Sequence, residues 1–333
     1  MTNEYLWDKS GQPDPDVEHL ERLLGRYRST TPEPAWPVVP RVPARASMRF
    51  LAAAAVLVLA CAATLWRGRA DDLASWPVTR VAGHPVAGSI PVGDGSRLPL
   101  GAWLETDASS KAVLEVSTIG QLDVEPGTRL RLVETREGAH RLAMAHGVVH
   151  ALIWAPPGQF VIDTPSSRAV DLGCAYTLDV RPDGEGTIEV TAGWVAFDHA
   201  GRESFIPAGA RCATRTGVGP GTPYMLDAPA ALVDALTVLD FAPGSDPARA
   251  AALARALGAA RPDDALTLWH LLARVPEPDR DAVFDALARF VAPPRLVTRE
   301  GIRSGDRAMR DAWWAALDLG DIEWWRTWKR RLP

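Results

Sequence analysis

An uninterrupted apolar segment between two arginines constrains this chain more than any other feature of its sequence. Residues 50–66 read FLAAAAVLVLACAATLW, contain no charge, and are bounded by Arg49 and Arg67. A helix needs about 17 to 25 mainly apolar residues to cross the hydrocarbon of a bilayer. We therefore predict one transmembrane helix over residues 47–67. A soluble helix buried in a protein core is the alternative.

The charges around this segment predict its orientation. Arg41, Arg45 and Arg49 precede it, whereas Arg67 and Arg69 are followed at once by two aspartates. Cytoplasmic flanks carry the excess of Lys and Arg, so this difference favours a cytoplasmic N-terminus. The long C-terminal part is then expected on the other side of the membrane.

A cleaved leader is a second alternative for the same segment. Residues 48–61 resemble a short signal sequence that ends in a lipidatable cysteine, Cys61. Leu59 fits poorly at the position two before that cysteine, and the 47 preceding residues resemble ordinary coding sequence. The transmembrane helix therefore remains the favoured interpretation.

The first segment, residues 1–46, predicts one short amphipathic helix followed by a linker. Asp16 can cap a helix that carries Val17, Leu20, Leu23 and Leu24 on one face. Isolated helices of this length are marginal in water, so this helix needs a protein partner or is partly disordered. Five prolines between residues 32 and 43 predict a semi-extended spacer to the membrane.

Charge and motif content argue against several function classes. A formal net charge of −5 provides no basic field that would attract nucleic acid. His146 and His150 in HGVVH lack both a third ligand and the glutamate of a zinc protease. No nucleophile elbow, phosphate-binding loop or HExxH motif occurs. We therefore expect no enzyme, no cofactor, no metal and no direct nucleic-acid binding.

Two of the three cysteines, Cys174 and Cys212, follow the apolar segment. If that region is exported, both lie in a compartment where a disulfide persists. Two small buried residues in strands are the alternative. The sequence leaves both interpretations open because it does not give the separation of the two residues.

Residues 78–216 change to short alternating runs bounded by Gly, Pro and Asp, such as AVLEVST, TRLRLVE and GTIEVTAG. Period-two alternation at intervals of roughly ten residues predicts a mainly β domain, either a short-stranded sandwich or a rolled solenoid. Asp183-Gly184 and Ala192-Gly193 are predicted hairpin positions. The Gly-rich residues 217–223 predict a linker.

Residues 228–333 carry helical periodicity with Asp or Pro at several predicted starts, which indicates an all-α domain. Thirteen tryptophans are many for this length. Five of them cluster near the C-terminus beside basic residues: Trp313, Trp314, Trp324, Trp325 and Trp328. Core packing is the favoured role for this cluster, and a membrane-surface anchor or partner patch is the alternative.

A set of turn-forming and apolar positions within residues 83–215 forms a recognisable motif. Thr164-Pro165, then Leu172-Gly173 and the alternating AYTLDV, are its most specific part, with Gly147 before them and Gly193 after them. These residues resemble a FecR-type domain, as carried by membrane-bound regulators of extracytoplasmic-function sigma factors. Family members usually have Thr where Cys174 stands here, a departure that fits a Cys174–Cys212 bridge.

The resemblance implies a single-pass protein of a bacterial inner membrane, with a cytoplasmic N-terminus and a periplasmic β domain. It also implies that the N-terminal segment binds a sigma factor, through the apolar residues Trp7, Val17, Leu20, Leu23 and Leu24. This segment lacks the His/Cys arrangement of zinc-binding anti-sigma domains and is much shorter. The alternative is an envelope structural protein whose β domain binds a protein or polysaccharide without sigma control.

Overall fold

The computed structural model describes residues 14–27, 75–242, 246–320, 322 and 325. The predicted transmembrane helix at 47–67, its proline-rich spacer and Trp7 lie outside these residues. Within the described ranges, no helix is both long enough and apolar enough to cross a membrane.

The N-terminal unit contains helix α1 (Pro15–Leu24), which continues into a 3₁₀ turn at Gly25–Tyr27. Asp14 caps this helix, because its carboxylate accepts the backbone N–H of Asp16 at 2.9 Å. Pro15 occupies the first helical position, where the N–H that proline lacks has no intrahelical partner. The prediction that Asp16 is the cap is therefore wrong: Asp16 lies in the first turn, where its charge suits the helix dipole.

In the larger unit, the described residues form a run of strands from Ser75 to Met225 that is followed by helices, so the predicted mainly β class with C-terminal helices is confirmed. The described strands are β1 (Ser75–Ala82), β2 (Val86–Ala87), β3 (Ile90–Pro91), β4 (Arg97–Pro99), β5 (Trp103–Glu105), β6 (Lys111–Val116), β7 (Gly120–Val124), β8 (Arg129–Arg136), β9 (Ala139–Ile153), β10 (Phe160–Asp163), β11 (Arg168–Asp171), β12 (Cys174–Val180), β13 (Gly186–Ala192), β14 (Trp194–His199), β15 (Arg202–Pro207), β16 (Ala210–Arg215), β17 (Gly219–Pro220) and β18 (Tyr224–Met225).

The strands form two sheets that share β9. In the first sheet the neighbours run β1, β6, β7, β9, β12, β13, β16, β18, all antiparallel. In the second sheet they run β2, β5, β8, β9, β10, β11, β14, β15, and the β9–β10 pair is parallel. The N-terminal half of β9 belongs to the second sheet and its C-terminal half to the first.

Strand β9 changes the phase of its alternation where it passes between the sheets. Leu142 and Met144 are buried in its first half, whereas Val149 and Ala151 are buried in its second half. Gly147, with φ +110°, lies at the change, next to a register shift against β8. One extra residue reverses which side chains face inward. Both halves therefore contribute apolar side chains to the same core between the sheets.

The helical region comprises α2 (Ala230–Phe241), α3 (Asp246–Ala259), α4 (Ala265–Leu271), α5 (Arg280–Ala288), α6 (Arg299–Ser304) and α7 (Arg307–Ala315). Two 3₁₀ turns, Pro262–Asp264 and Glu277–Asp279, lead into α4 and α5. α6 ends at Gly305 in the left-handed conformation, and Asp306 then caps α7 through the N–H groups of Ala308 and Met309.

The helices cover the outer face of the second sheet. Val170, Ala196 and Phe205, from β11, β14 and β15, pack with the buried helix residues, while their neighbours Ala169 and Ile206 face the core between the sheets. These strands are therefore buried on both faces. Their apolar residues form short continuous runs in the sequence instead of alternating with polar residues. The helices and the outer face of the second sheet consequently form a second apolar core, distinct from the core between the sheets.

Trp314 lies at the centre of an aromatic cluster at this junction. Its ring centroid is 5.7, 5.5 and 4.8 Å from those of Trp194, Phe205 and Trp269. Trp313 is also fully buried. Core packing is thus confirmed for these two members of the predicted tryptophan cluster, whereas Trp324 and Trp328 lie outside the described residues.

Residues 217–223 are not a free linker, which corrects the sequence prediction. Gly219 and Pro220 form the short strand β17 against β16, and both are buried with the two residues that follow. The N–H of Thr222 donates to the carboxylate of Asp240 on α2 at 2.6 Å. This segment therefore fastens the helices to the sheet instead of separating them.

Candidate functional site

Helix α1 is the candidate partner-binding segment, and it presents its apolar face to solvent. Leu20, Leu23 and Leu24 are 55%, 42% and 62% exposed, and Val17 is half-buried. None of the described residues of this helix is buried. An amphipathic helix with an uncovered leucine face is suited to lie in an apolar groove of another protein.

The motif residues of the β region have structural roles. The hydroxyl of Thr164 accepts the N–H of Ser167 at 3.0 Å and donates to its carbonyl at 2.9 Å, which closes the turn between β10 and β11. Pro165 packs in this turn so close to Gly184 that a Cβ on that glycine would lie 2.8 Å from its ring. Leu172 is buried under the helices.

Two motif glycines, Gly147 and Gly193, are positions of close backbone approach. A Cβ on Gly147 would lie 2.3 Å from the Cα of Thr128, and one on Gly193 would lie 2.0 Å from the carbonyl oxygen of Gly173. Gly173 and Gly193 both have positive φ, at +86° and +69°. The predicted hairpin at Asp183-Gly184 is confirmed. At the other predicted hairpin position, Ala192-Gly193, no hairpin forms, because β13 and β14 are not paired. Gly193 instead turns the chain from the first sheet into the second.

A buried polar group lies beside this corner. The Cys174 thiol donates to one oxygen of Asp171 at 2.6 Å, and the N–H of Gly173 donates to the other at 2.7 Å. Burial raises the pKa of Asp171 to about 7, although both hydrogen bonds oppose that rise. Burial also raises the pKa of the Cys174 thiol and of the nearby Tyr176 hydroxyl, and the Asp171 charge adds to both effects.

The possible Cys174–Cys212 disulfide is not formed: both cysteines are buried free thiols. They lie on β12 and β16, which are separated by β13, and each has its own hydrogen-bond acceptor. The Cys212 thiol donates to the carbonyl of Gly221 at 3.1 Å, and burial raises its pKa to about 12. The structure therefore agrees with the alternative interpretation, in which Cys174 and Cys212 are two small buried residues in strands.

A buried ionic network joins the sheet to the helices, and no local sequence pattern predicts it. Asp240 on α2, 3% exposed, accepts from Arg202 at 2.6 Å and lies 3.4 Å from Arg274. Arg274 also donates to the hydroxyls of Thr222 at 2.9 Å and Ser204 at 2.5 Å. Burial lowers the pKa of Arg274, and the Asp240 charge opposes this. These contacts come from four separated parts of the chain.

The two histidines of HGVVH take part in separate local contacts. A ring nitrogen of His146 lies 3.0 Å from the carbonyl of Gly127, and one of His150 lies 2.8 Å from the hydroxyl of Thr177. In the part of the chain that the structure describes, no three His, Cys, Asp or Glu side chains are grouped so that they could hold a metal ion.

The outward face of the first sheet carries an exposed aromatic residue. Trp154, directly after β9, is 61% exposed, and its indole N–H donates to the carbonyl of Thr118 at 3.1 Å. Leu152, which lies in register between Gln121 and Ala175, is 48% exposed next to it. The ring is therefore held in place while its face remains open to solvent.

Comparisons with known proteins were limited. No family model matches the sequence, and no curated protein matches it. Two crystal structures of a "putative anti-sigma factor" from Parabacteroides distasonis ATCC 8503, at 1.65 and 2.50 Å resolution, have partly similar backbones, each with a TM-score of 0.34 and 15% sequence identity. The similarity covers 40% of this chain and 63% and 62% of those chains, so it spans less than two thirds of their length.

A TM-score of 0.34 is too low for this similarity to carry a functional argument. The FecR-type resemblance of residues 83–215 therefore stays a prediction, and so does the sigma-factor partner. Function has to be argued from the residues of this chain.

Proposed function

We propose that this chain is a FecR-like single-pass membrane regulator whose N-terminal segment binds an extracytoplasmic-function sigma factor. The observation that carries the proposal is the uncovered leucine face of α1. A capped amphipathic helix with three exposed leucines gains little from folding alone, because its apolar face remains in water. A partner that covers this face supplies the missing stabilisation.

The chemistry of α1 suits a partner with an apolar groove. Burial of a leucine side chain contributes about 1.5 to 3 kcal/mol relative to its exposed state. Leu20 and Leu24 are one helical turn apart, and Leu23 is three residues after Leu20, so all three can enter one groove. Glu18 and Arg22 lie on the opposite face, where they remain in water.

The order of segments supports the rest of the proposal. A cytoplasmic helix, the apolar segment 47–67 and a β region after it form a path along which an event outside can alter exposure or association of the N-terminus. A single span transmits such a change only if the outer ligand or partner has different affinities for the two states. The proposal assigns no catalytic step to the chain.

A binding experiment with full-length protein in detergent tests the sigma-factor contact. The protein is immobilised and incubated with the purified extracytoplasmic-function sigma factors of its native host. We expect one of them to be retained by wild type and lost with the L20A/L23A/L24A variant. The matched control is E18A/R22A, which removes one charge of each sign from the opposite face and should retain the sigma factor.

Two results would refute the proposal. Either no sigma factor is retained by wild type, or the leucine and control variants retain it equally. The α1 face would then have another role.

The exposed Trp154 favours a second candidate, an envelope protein whose first sheet binds a polysaccharide. A fixed, open indole ring is suited to stack on a sugar ring, and Gln121, the register partner of Leu152 on the same sheet, offers an amide for hydrogen bonding. Retention on isolated cell-wall polysaccharide that W154A loses, together with failure of every sigma factor to bind, would establish this function instead.

A further inference from the structure

The same arrangement of strands occurs twice in the β region. In residues 103–153, β5 pairs with β8 in the second sheet, and β6 and β7 between them form a hairpin in the first sheet. In residues 168–215, β11 pairs with β14, and β12 and β13 form the hairpin between them. Strand β9 then pairs with β8 and β7, just as β15 pairs with β14 and β16 pairs with β13. We call these two ranges the first and second repeats.

The hairpins of the two repeats also have similar sequences. LEV and GQLDVEPG in the first repeat correspond to LDV and GTIEVTAG in the second. The pairing register agrees as well, because Leu114 lies opposite Leu122 in the first hairpin. In the second hairpin, Leu178 lies opposite Ile188. Positions in one repeat can therefore be compared directly with positions in the other.

The helices cover the outer face of the second repeat. Val170, Ala196 and Phe205 lie directly opposite one another on β11, β14 and β15, and all three pack in the core beneath the helices. The Trp314 ring of α7 packs on Phe205, with 5.5 Å between the ring centroids. Among the described residues, that core contains no side chain of the first repeat. The equivalent face of the first repeat therefore lies outside the cover of these helices.

Three half-buried residues form the equivalent row of the first repeat. Trp103 lies opposite Arg131, and Arg131 lies opposite Ala143, on β5, β8 and β9. Arg131 follows an inward-facing residue, Leu130, in the same way as Ala196 follows one on β14, which fixes the correspondence of the two rows. We call Trp103, Arg131 and Ala143 the open row. It places a guanidinium between an aromatic and a small apolar side chain, where the covered row has three apolar side chains.

Arg131 is the charged group of the open row, and it has no carboxylate partner. Its guanidinium lies 5.0 Å from the ring centroid of Trp103, and that of Arg129 lies 4.0 Å from the same ring. Arg129 is paired with Glu105 at 2.9 Å. No hydrogen bond or ion pair to Arg131 is found in the described part of the chain. A protein that covers this row has to bring a carboxylate, because a covered, unpaired charge is costly.

We propose that the open row is a docking surface for an amphipathic helix of another protein, one that carries an Asp or Glu among its apolar residues. The carboxylate pairs with Arg131, and the apolar side chains on either side of it pack on Trp103 and Ala143. The second repeat supports the choice of a helix, because α7 already packs on the equivalent row there. Docking does not depend on the sigma-factor proposal. Only its role as the outer input of that regulator rests on the proposed function.

Photo-crosslinking of the full chain in its native host tests this surface. The probe is p-benzoyl-phenylalanine in place of Ala145, which lies on the same outer face two residues beyond Ala143 and leaves the open row intact. After irradiation, mass spectrometry should identify one crosslinked peptide of another protein, with apolar residues at helical spacing around an Asp or Glu. R131E should lower the yield of this adduct about tenfold or more, because attraction to the carboxylate becomes repulsion.

The matched control is R80E, which makes the same charge change at an exposed arginine of β1 and should crosslink as wild type does. Replacement of the identified carboxylate by lysine in the partner should restore the adduct of R131E, which a misfolded variant would not show. The proposal is overturned if no protein adduct forms, if the adduct is a polysaccharide or a second molecule of this chain, or if R131E and R80E give equal yields. The leucine variant of α1 should crosslink normally, so failure here is distinguishable from failure of the sigma-factor proposal.

Discussion

Replacement of Asp171 by asparagine should remove a large pH dependence from the stability of this protein. The carboxyl is 1% exposed and accepts two hydrogen bonds, from the Cys174 thiol and the Gly173 N–H. Asparagine has nearly the same shape, retains an acceptor for the Gly173 N–H, and does not titrate. A comparison of the two proteins therefore isolates the ionisation of this one group.

The direction and size of the effect follow from the raised pKa. The pKa of Asp171 is about 7 in the folded protein and near its ordinary value of 3.8 when unfolded. The folded state holds the proton more tightly, so the stabilisation is complete below pH 3.8 and is lost as the pH rises through 7. At about 1.4 kcal/mol for each pH unit, the loss amounts to about 4 kcal/mol.

The measurement is denaturant unfolding followed by intrinsic tryptophan fluorescence at several pH values. These values run from about pH 4.5 to about pH 8.5, the range set by the unfolded and folded pKa values of Asp171. Wild type should lose stability relative to D171N across this window. His140, whose pKa is lowered by burial, acts in the opposite direction and is present in both proteins, so it cancels. Parallel pH profiles for the two proteins would show that Asp171 is not a buried titrating carboxyl.

Two further changes test the corner and the cysteines. G193A should destabilise the fold by several kcal/mol in a denaturation assay, because the new methyl group would lie 2.0 Å from the carbonyl oxygen of Gly173 at a residue with positive φ. The control is G258A on α3, whose methyl group meets no atom within 4 Å. It should be neutral or slightly stabilising in the same assay. Alkylation under denaturing, non-reducing conditions followed by mass spectrometry should label Cys174 and Cys212 completely. A disulfide-linked peptide pair would contradict the free thiols.

The sequence predicted elements whose signals are local. The helical periodicity predicted from residue 228 onward begins with α2, Ala230–Phe241, which follows a proline and carries apolar residues without a breaker. The Asp183-Gly184 hairpin also follows from two residues and their allowed dihedral angles. For α1, the predicted cap Asp16 is two positions too late, because Asp14 precedes Pro15, the residue that starts the helix.

Features that depend on distant parts of the chain were missed for a physical reason. Asp240, Arg202 and Arg274 meet only after three elements have packed together, and nothing in their local sequence distinguishes them from surface residues. The covered outer face of the second sheet did leave a signal. The run VAF in β14 is continuous rather than alternating, as expected for a strand buried on both sides.

The double burial of the second sheet also sets an order for folding. The apolar residues on its outer face, such as Ala196 and Phe205, have been synthesised once β15 is complete, but Trp314, which packs on Phe205, follows roughly a hundred residues later. Until α7 is available, the part of that face around Phe205 lacks the cover of Trp314 and can associate with other chains. The newly made protein therefore passes through a stage in which a nearly complete β region exposes apolar surface, and completion of the last helices ends that stage.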